Sequence, residues 1–190
     1  MTEDLKYMNV REIREKKEEK LELVQLSYYP NGLVPVMSNA TLKYHYNVLA
    51  RGYVDRFNTQ TEDANFNKQG AILHNIFFPQ LQPYKKTNDP YGPIAELIDQ
   101  KFNSYANFKE KFTQQAMKIQ GSGWIFLNVQ GKIEVIEDHS ISGNPNRILL
   151  LVDWWEHAWA LDYQADKYKY LTNHWLITNW NIINQRFLLG

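Results

Sequence analysis

Cysteine is absent from this 190-residue chain. Its absence removes disulfides, thiolate nucleophiles and every thiolate-ligated metal site, so any bound metal must be held by His, Asp or Glu. An excess of charge is missing as well, since 21 Lys and Arg balance 21 Asp and Glu. That speaks against a general nucleic-acid binder, whose affinity for phosphate needs a basic surplus. No apolar run approaches the length of a membrane span, so no membrane partner is expected. The first residues, MTEDLKYMNVREIREKKEEK, have neither an apolar signal core nor the acid-poor composition of a transit peptide. A cytoplasmic or otherwise soluble intracellular protein is therefore expected. Histidine is sparse, with five residues: His45, His74, His139, His157 and His174.

What is present suffices for one sizeable core, because 44% of the residues are apolar. Residues 1–24 carry dense charges of both signs and few large apolar groups, which reads as a charged N-terminal extension. Residues 25–88 read as an α-helical hairpin domain. Ser38 or Asn39 is placed to cap a helix through NATLKYHYNVLARGYVDRFNTQ, and a second helix is expected in DANFNKQGAILHNIFFPQLQP, weakened by Gly70 and Pro79. Residues 89–190 read as a C-terminal α+β domain. Two short amphipathic helices begin near Asp89 and Asn107, and three β-rich runs, GSGWIFLNVQ, GKIEVIEDH and RILLLVDWW, suit a small antiparallel meander. Helix returns in DYQADKYKYLTNHWLITNWNIINQRF. The expected class is α+β, a helical hairpin followed by a unit with a three-stranded antiparallel sheet.

Chemistry concentrates in LLLVDWWEHAWALDY, where an apolar strand ends in Asp153 and His157 follows four residues later. One reading has Asp153 capping the next helix and His157 as a hydrogen-bonded interior histidine. His45 and His74 each lie among apolar and aromatic residues on helix faces expected to be buried. Burying several imidazoles without partners is costly, and a cation engages their lone pairs at once. Three imidazoles and one carboxylate suit a first-row transition metal better than magnesium or calcium, which prefer oxygen shells; zinc fits the same set.

The chain resembles the iron/manganese superoxide dismutases from about residue 24 to 188. DWWEHAWALDY is similar to that family's D-x-W-E-H-A-x-x-x-D-Y signature, and GSGWIFL to its G-S-G-W strand start. HNIFFPQLQP, TLKYHYNVLARGYV and NHWLITNW resemble the second, first and closing helical segments, in the same order and spacing. The resemblance implies that His45, His74, Asp153 and His157 hold one iron or manganese ion per subunit. The implied reaction is the disproportionation of superoxide. It further implies Tyr53 at the entry to the metal, Trp124 and Trp155 as cavity walls, and His139 as the hydrogen-bond partner of the solvent ligand. His139 takes that role because Gly70 stands where some members carry a glutamine. Glu156 resembles the glutamate that reaches across to the partner's ligand histidine, so a homodimer at least is expected, with a tetramer as the larger alternative. His174 is left as an ordinary exposed or partly buried helix histidine.

Leu49 and Ala160 occupy positions where the family commonly pairs a histidine with a tyrosine across the dimer. Losing both together leaves no buried orphan. Val48 replaces a family lysine, and ADKYKY lacks the usual Arg-Pro. These departures motivate a second reading, a dismutase-like metal-binding structural or interaction protein with weak or no activity.

Overall fold

Ser38 starts the first helical run, its side-chain oxygen accepting the Thr41 N–H and so satisfying a donor that the helix leaves unpaired. The computed structural model of the chain describes residues 20–189. In it the run passes through α1 (Asn39–Lys43), a wider π-helical stretch (Tyr44–Ala50) and α2 (Arg51–Asn58). Asp63 caps α3 (Ala64–Phe77) by accepting the Phe66 N–H, and Pro79 tightens the chain into a 3-10 turn (Phe78–Gln80). Gly70 does not interrupt α3. A Cβ there would stand 2.8 Å from the Tyr53 ring, so the glycine is what lets α2 approach α3.

Most of the charged extension lies outside the described residues. Its last residues pack against the hairpin: Leu23 is buried, and the N–H groups of Leu21 and Val24 donate to Asn58 Oδ1 and Asn75 Oδ1, both at 2.9 Å.

The next helices are α4 (Pro93–Phe102) and α5 (Tyr105–Ala116). Pro93 suits the first helical position, where its missing N–H has no intrahelical partner to lose. Ser104 caps α5 by accepting the Asn107 N–H.

The sheet comprises β1 (Gly123–Asn128), β2 (Ile133–Glu137) and β3 (Ile148–Asp153), antiparallel in the order β2-β1-β3. This corrects the expected meander, in which β2 would be central. Every residue of β1 and β3 is buried, whereas β2 reaches solvent at most positions. The continuous apolar runs WIFL and ILLLV suit strands covered on both faces, whereas β2 carries two glutamates, Glu134 and Glu137, at the edge. Residues 138–147 carry the chain around to the far side of β1.

Beyond β3 come α6 (Glu156–Tyr163), α7 (Lys167–His174), a 3-10 turn (Trp175–Ile177) and α8 (Trp180–Leu189). The expected closing helix is thus divided, with Gln164 at positive φ after α6 and Asp166 capping α7. Alternation along β1 serves two apolar clusters. Trp124 and Phe126 join residues of the N-terminal hairpin, while Ile125 and Leu127 join α4, α5 and the C-terminal helices. Among the described residues no helix is long and apolar enough to cross a membrane.

Candidate metal centre

Four side chains from four elements meet between these clusters. His45 comes from the π-helical stretch, a geometry that recurs at functional sites, and His74 from α3. Asp153 ends β3, opposite Trp124 in the sheet register, and His157 opens α6. One potential ligand atom from each lies within 4.8 Å of the others. Nε2 of His45, His157 and His74 stand 3.1, 3.2 and 3.9 Å from Oδ2 of Asp153. His45, His74 and Asp153 are fully buried, and the His157 side chain is 14% exposed.

Local hydrogen bonds decide which atoms remain available. His74 Nδ1–H donates to the Gly70 carbonyl at 2.7 Å, which leaves Nε2 as a lone pair. Asp153 Oδ1 accepts the Trp155 N–H at 2.8 Å, which leaves Oδ2. The Tyr170 hydroxyl donates to the Asp153 carbonyl at 2.9 Å and fixes the strand end. Burial holds both His45 and His74 below the ordinary imidazole range. Burial also opposes charge on Asp153, yet the neighbouring His157 and His45 outweigh it and keep the carboxyl well below its usual range. His74 Nε2 therefore turns a lone pair toward the buried Asp153 carboxylate, and neither His45 Nε2 nor His74 Nε2 has a well-formed hydrogen bond. Acceptors facing acceptors in a dry site are unfavourable unless a cation lies among them. The donor set, three nitrogens and one oxygen, fits a first-row transition metal such as iron or manganese.

Aromatic rings enclose the four residues. Tyr53 stacks on His74 at 5.3 Å, Trp124 meets His74 edge-on at 5.1 Å, and Trp155 lies 5.8 Å from His157. His139 is buried, 4.8 Å from the Tyr53 ring and stacked 4.6 Å from Trp155. Trp124 Nε1–H donates to His139 Nδ1 at 3.0 Å, so the proton of the neutral imidazole sits on Nε2, which has no protein partner. Burial lowers the His139 pKa to about 4 and raises that of Tyr53 to about 12.

Glu156 stands apart from this cluster. It is exposed and, with Ala40, Tyr44, His157, Ala160 and Leu161, lines an apolar hollow of about 600 Å³ on the outer side of His157. Leu49 and Ala160 are both half-buried. His174 corrects its expectation, being fully buried behind Phe77 because α7 packs against the core. Sequence reasoning missed the Gly70 carbonyl, Tyr170 and Gln69, which accepts the Ile141 N–H. A backbone carbonyl leaves no mark in sequence, and a polar residue beside a conspicuous glycine was the only available hint of Gln69.

Comparison with known proteins agrees with this geometry. The family model for the C-terminal domain of iron/manganese superoxide dismutases matches residues 90–186. A superoxide dismutase (Mn/Fe) of Porphyromonas gingivalis is 35% identical, over 87% of this chain and 98% of its own. A superoxide dismutase (Fe) of Bacteroides fragilis is 33% identical over the same shares, and one of Pyrobaculum aerophilum is 33% identical over 86% and 90%. The family model spans more than half of the sequence and these relatives align over nearly their whole length: the chain belongs to the iron/manganese superoxide dismutase family.

Proposed function

We propose that the protein is a superoxide dismutase, converting two superoxide anions and two protons into dioxygen and hydrogen peroxide at one iron or manganese ion held by His45, His74, Asp153 and His157. The observation that carries this reading is the convergence of three imidazole Nε2 atoms on one buried carboxylate oxygen, in a chain of this family. When bound, the ion would supply the one-electron chemistry that no side chain of the site provides at neutral pH. Asp153 offsets part of the cation's charge, and the Gly70 carbonyl orients His74 so that Nε2 faces inward. His139 offers its Nε2–H as a fixed donor, in the tautomer that Trp124 enforces. Tyr53, with its pKa at about 12, keeps its phenolic proton at neutral pH and can donate it toward the anionic substrate. Trp124 and Trp155 exclude bulk water from the imidazoles.

A homodimer belongs to the same proposal. Tyr44 and Leu161 are 45% and 64% exposed around the hollow beside Glu156, an apolar face suited to a second copy of the chain. Glu156 would then accept a hydrogen bond from the ligand histidine of the other subunit. Sedimentation equilibrium should return a dimer that Glu156→Ala weakens; a monomer at micromolar concentration contradicts it. Cell fractionation tests the soluble intracellular location that completes the reading.

Metal analysis followed by a superoxide assay on iron- and manganese-reconstituted protein tests the activity. Turnover in at least one form is expected. Bound zinc with no turnover in either form would sink the enzyme and favour the structural reading that Leu49 and Ala160 motivate.

A further inference from the structure

His139 is carried by a segment with little structure of its own. After β2 the chain reverses at Asp138, which adopts φ +48°, and the next regular element is a 3-10 turn at Pro145–Arg147. Asp138 is held from outside the segment, its N–H donating to the Ser122 carbonyl at 3.1 Å and its carbonyl accepting from Trp155 Nε1–H at 3.4 Å, but beyond His139 the ties are local: Ser140 N–H donates to the Glu137 carbonyl at 2.9 Å and Ile141 N–H to the His139 carbonyl at 2.8 Å. Ile141 N–H is shared with a second acceptor, Gln69 Oε1 on α3, at 2.5 Å. That bond joins the segment to the helix bearing His74. The following residue, Gly70, leaves the space in which the His139 ring lies, since a Cβ there would come to 3.0 Å of His139 Cδ2. One turn of α3 thus holds the backbone of the segment through Gln69, seats its ring at Gly70, and orients His74 through the Gly70 carbonyl.

We propose that Gln69 is a positioning residue for His139, its amide oxygen pinning the 138–141 segment to α3 so that the unpartnered Nε2–H of His139 keeps a fixed place beside the metal ligands. The proposal rests on the metal-site reading above and adds a residue to it. Without this bond Ile141 N–H keeps only the strained acceptor two residues back, and the chain beyond His139 gains freedom that the bonds at Asp138 and the Trp124 bond to the ring do not restrain.

Iron-loaded protein and its Gln69→Met and Gln69→Glu variants separate the possibilities. Methionine keeps the length and removes the acceptor; glutamate keeps the acceptor. In Gln69→Met, amide exchange across residues 138–144 should quicken by about two- to ten-fold, as expected for one net hydrogen bond. The visible absorption of the ferric site should shift as well, and Gln69→Glu should restore both. In a His139→Ala background, Gln69→Met should produce no further spectral shift. An unchanged spectrum in Gln69→Met, or a Gln69→Glu protein as altered as Gln69→Met, overturns the proposal. Exchange and absorption are read without turnover, so an inactive protein would refute the dismutase reading and leave this test decisive.

Discussion

His174 lies fully buried with its ring stacked 5.9 Å from Phe77, between Tyr170 and Trp175, and neither ring nitrogen has a protein hydrogen-bond partner. Burial pulls its pKa down to about 4, with the charge of Asp153 acting weakly in the opposite direction. An unfolded histidine titrates near 6.5, so between those values the unfolded chain binds a proton that the folded one refuses. The stability that goes with a neutral His174 is therefore complete above about pH 6.5 and declines as the pH falls toward 4. His174→Phe removes this dependence along with two unpaired polar atoms. Urea unfolding of the metal-loaded proteins should show the variant gaining roughly 2 kcal/mol on the wild type between pH 7 and pH 5. A difference that does not change with pH would contradict this account. Because both proteins keep the same metal ligands, loss of metal in acid affects them alike.

At the scale of elements, Arg186 joins three of them. From α8 its Nη1 donates to Gln80 Oε1 and to the Leu149 carbonyl, both at 3.0 Å, and its Nη2 donates to the Ile76 carbonyl at 2.5 Å. Gln80 in turn bonds both the N–H and the carbonyl of Leu151. The last turn of α3, the middle of β3 and α8 are thereby fixed to one another just beyond His74. Arg186→Met keeps the apolar stem but strands these carbonyls, at a cost of about 2 kcal/mol in urea unfolding. Metal content of the native protein should not change, and a variant as stable as the wild type would show the clamp to be dispensable. Such ties explain what the sequence could and could not reveal. The helix start at Ser38 and the three β-rich runs were readable because capping and periodicity are local. Strand order, the fully buried His174 and the Gln69 bond depend on which distant surfaces meet. The grouping of His45, His74, Asp153 and His157 was legible because histidines are few and two of them lie on helix faces expected to be buried, while the full set came from the family resemblance.

The whole molecule is closed by the same four side chains. His45 and His74 belong to the N-terminal helices, Asp153 and His157 to β3 and α6, so an ion held by all four would bridge segments that no local contact brings together. An ion that binds only the folded arrangement stabilises it by mass action, about 2.7 kcal/mol at a free concentration one hundred times its dissociation constant. Without it, the buried carboxylate and the His74 lone pair would face one another uncompensated. Removing the metal should therefore lower the unfolding temperature of the wild type, and restoring iron or manganese should raise it in a concentration-dependent way. His157→Ala should lose the metal and unfold close to the metal-free wild type, with little response to added ion. Calorimetry of both proteins, with and without metal, checks each arm. A His157→Ala protein with full metal content and an undiminished thermal response would mean that the bridge is built from other ligands.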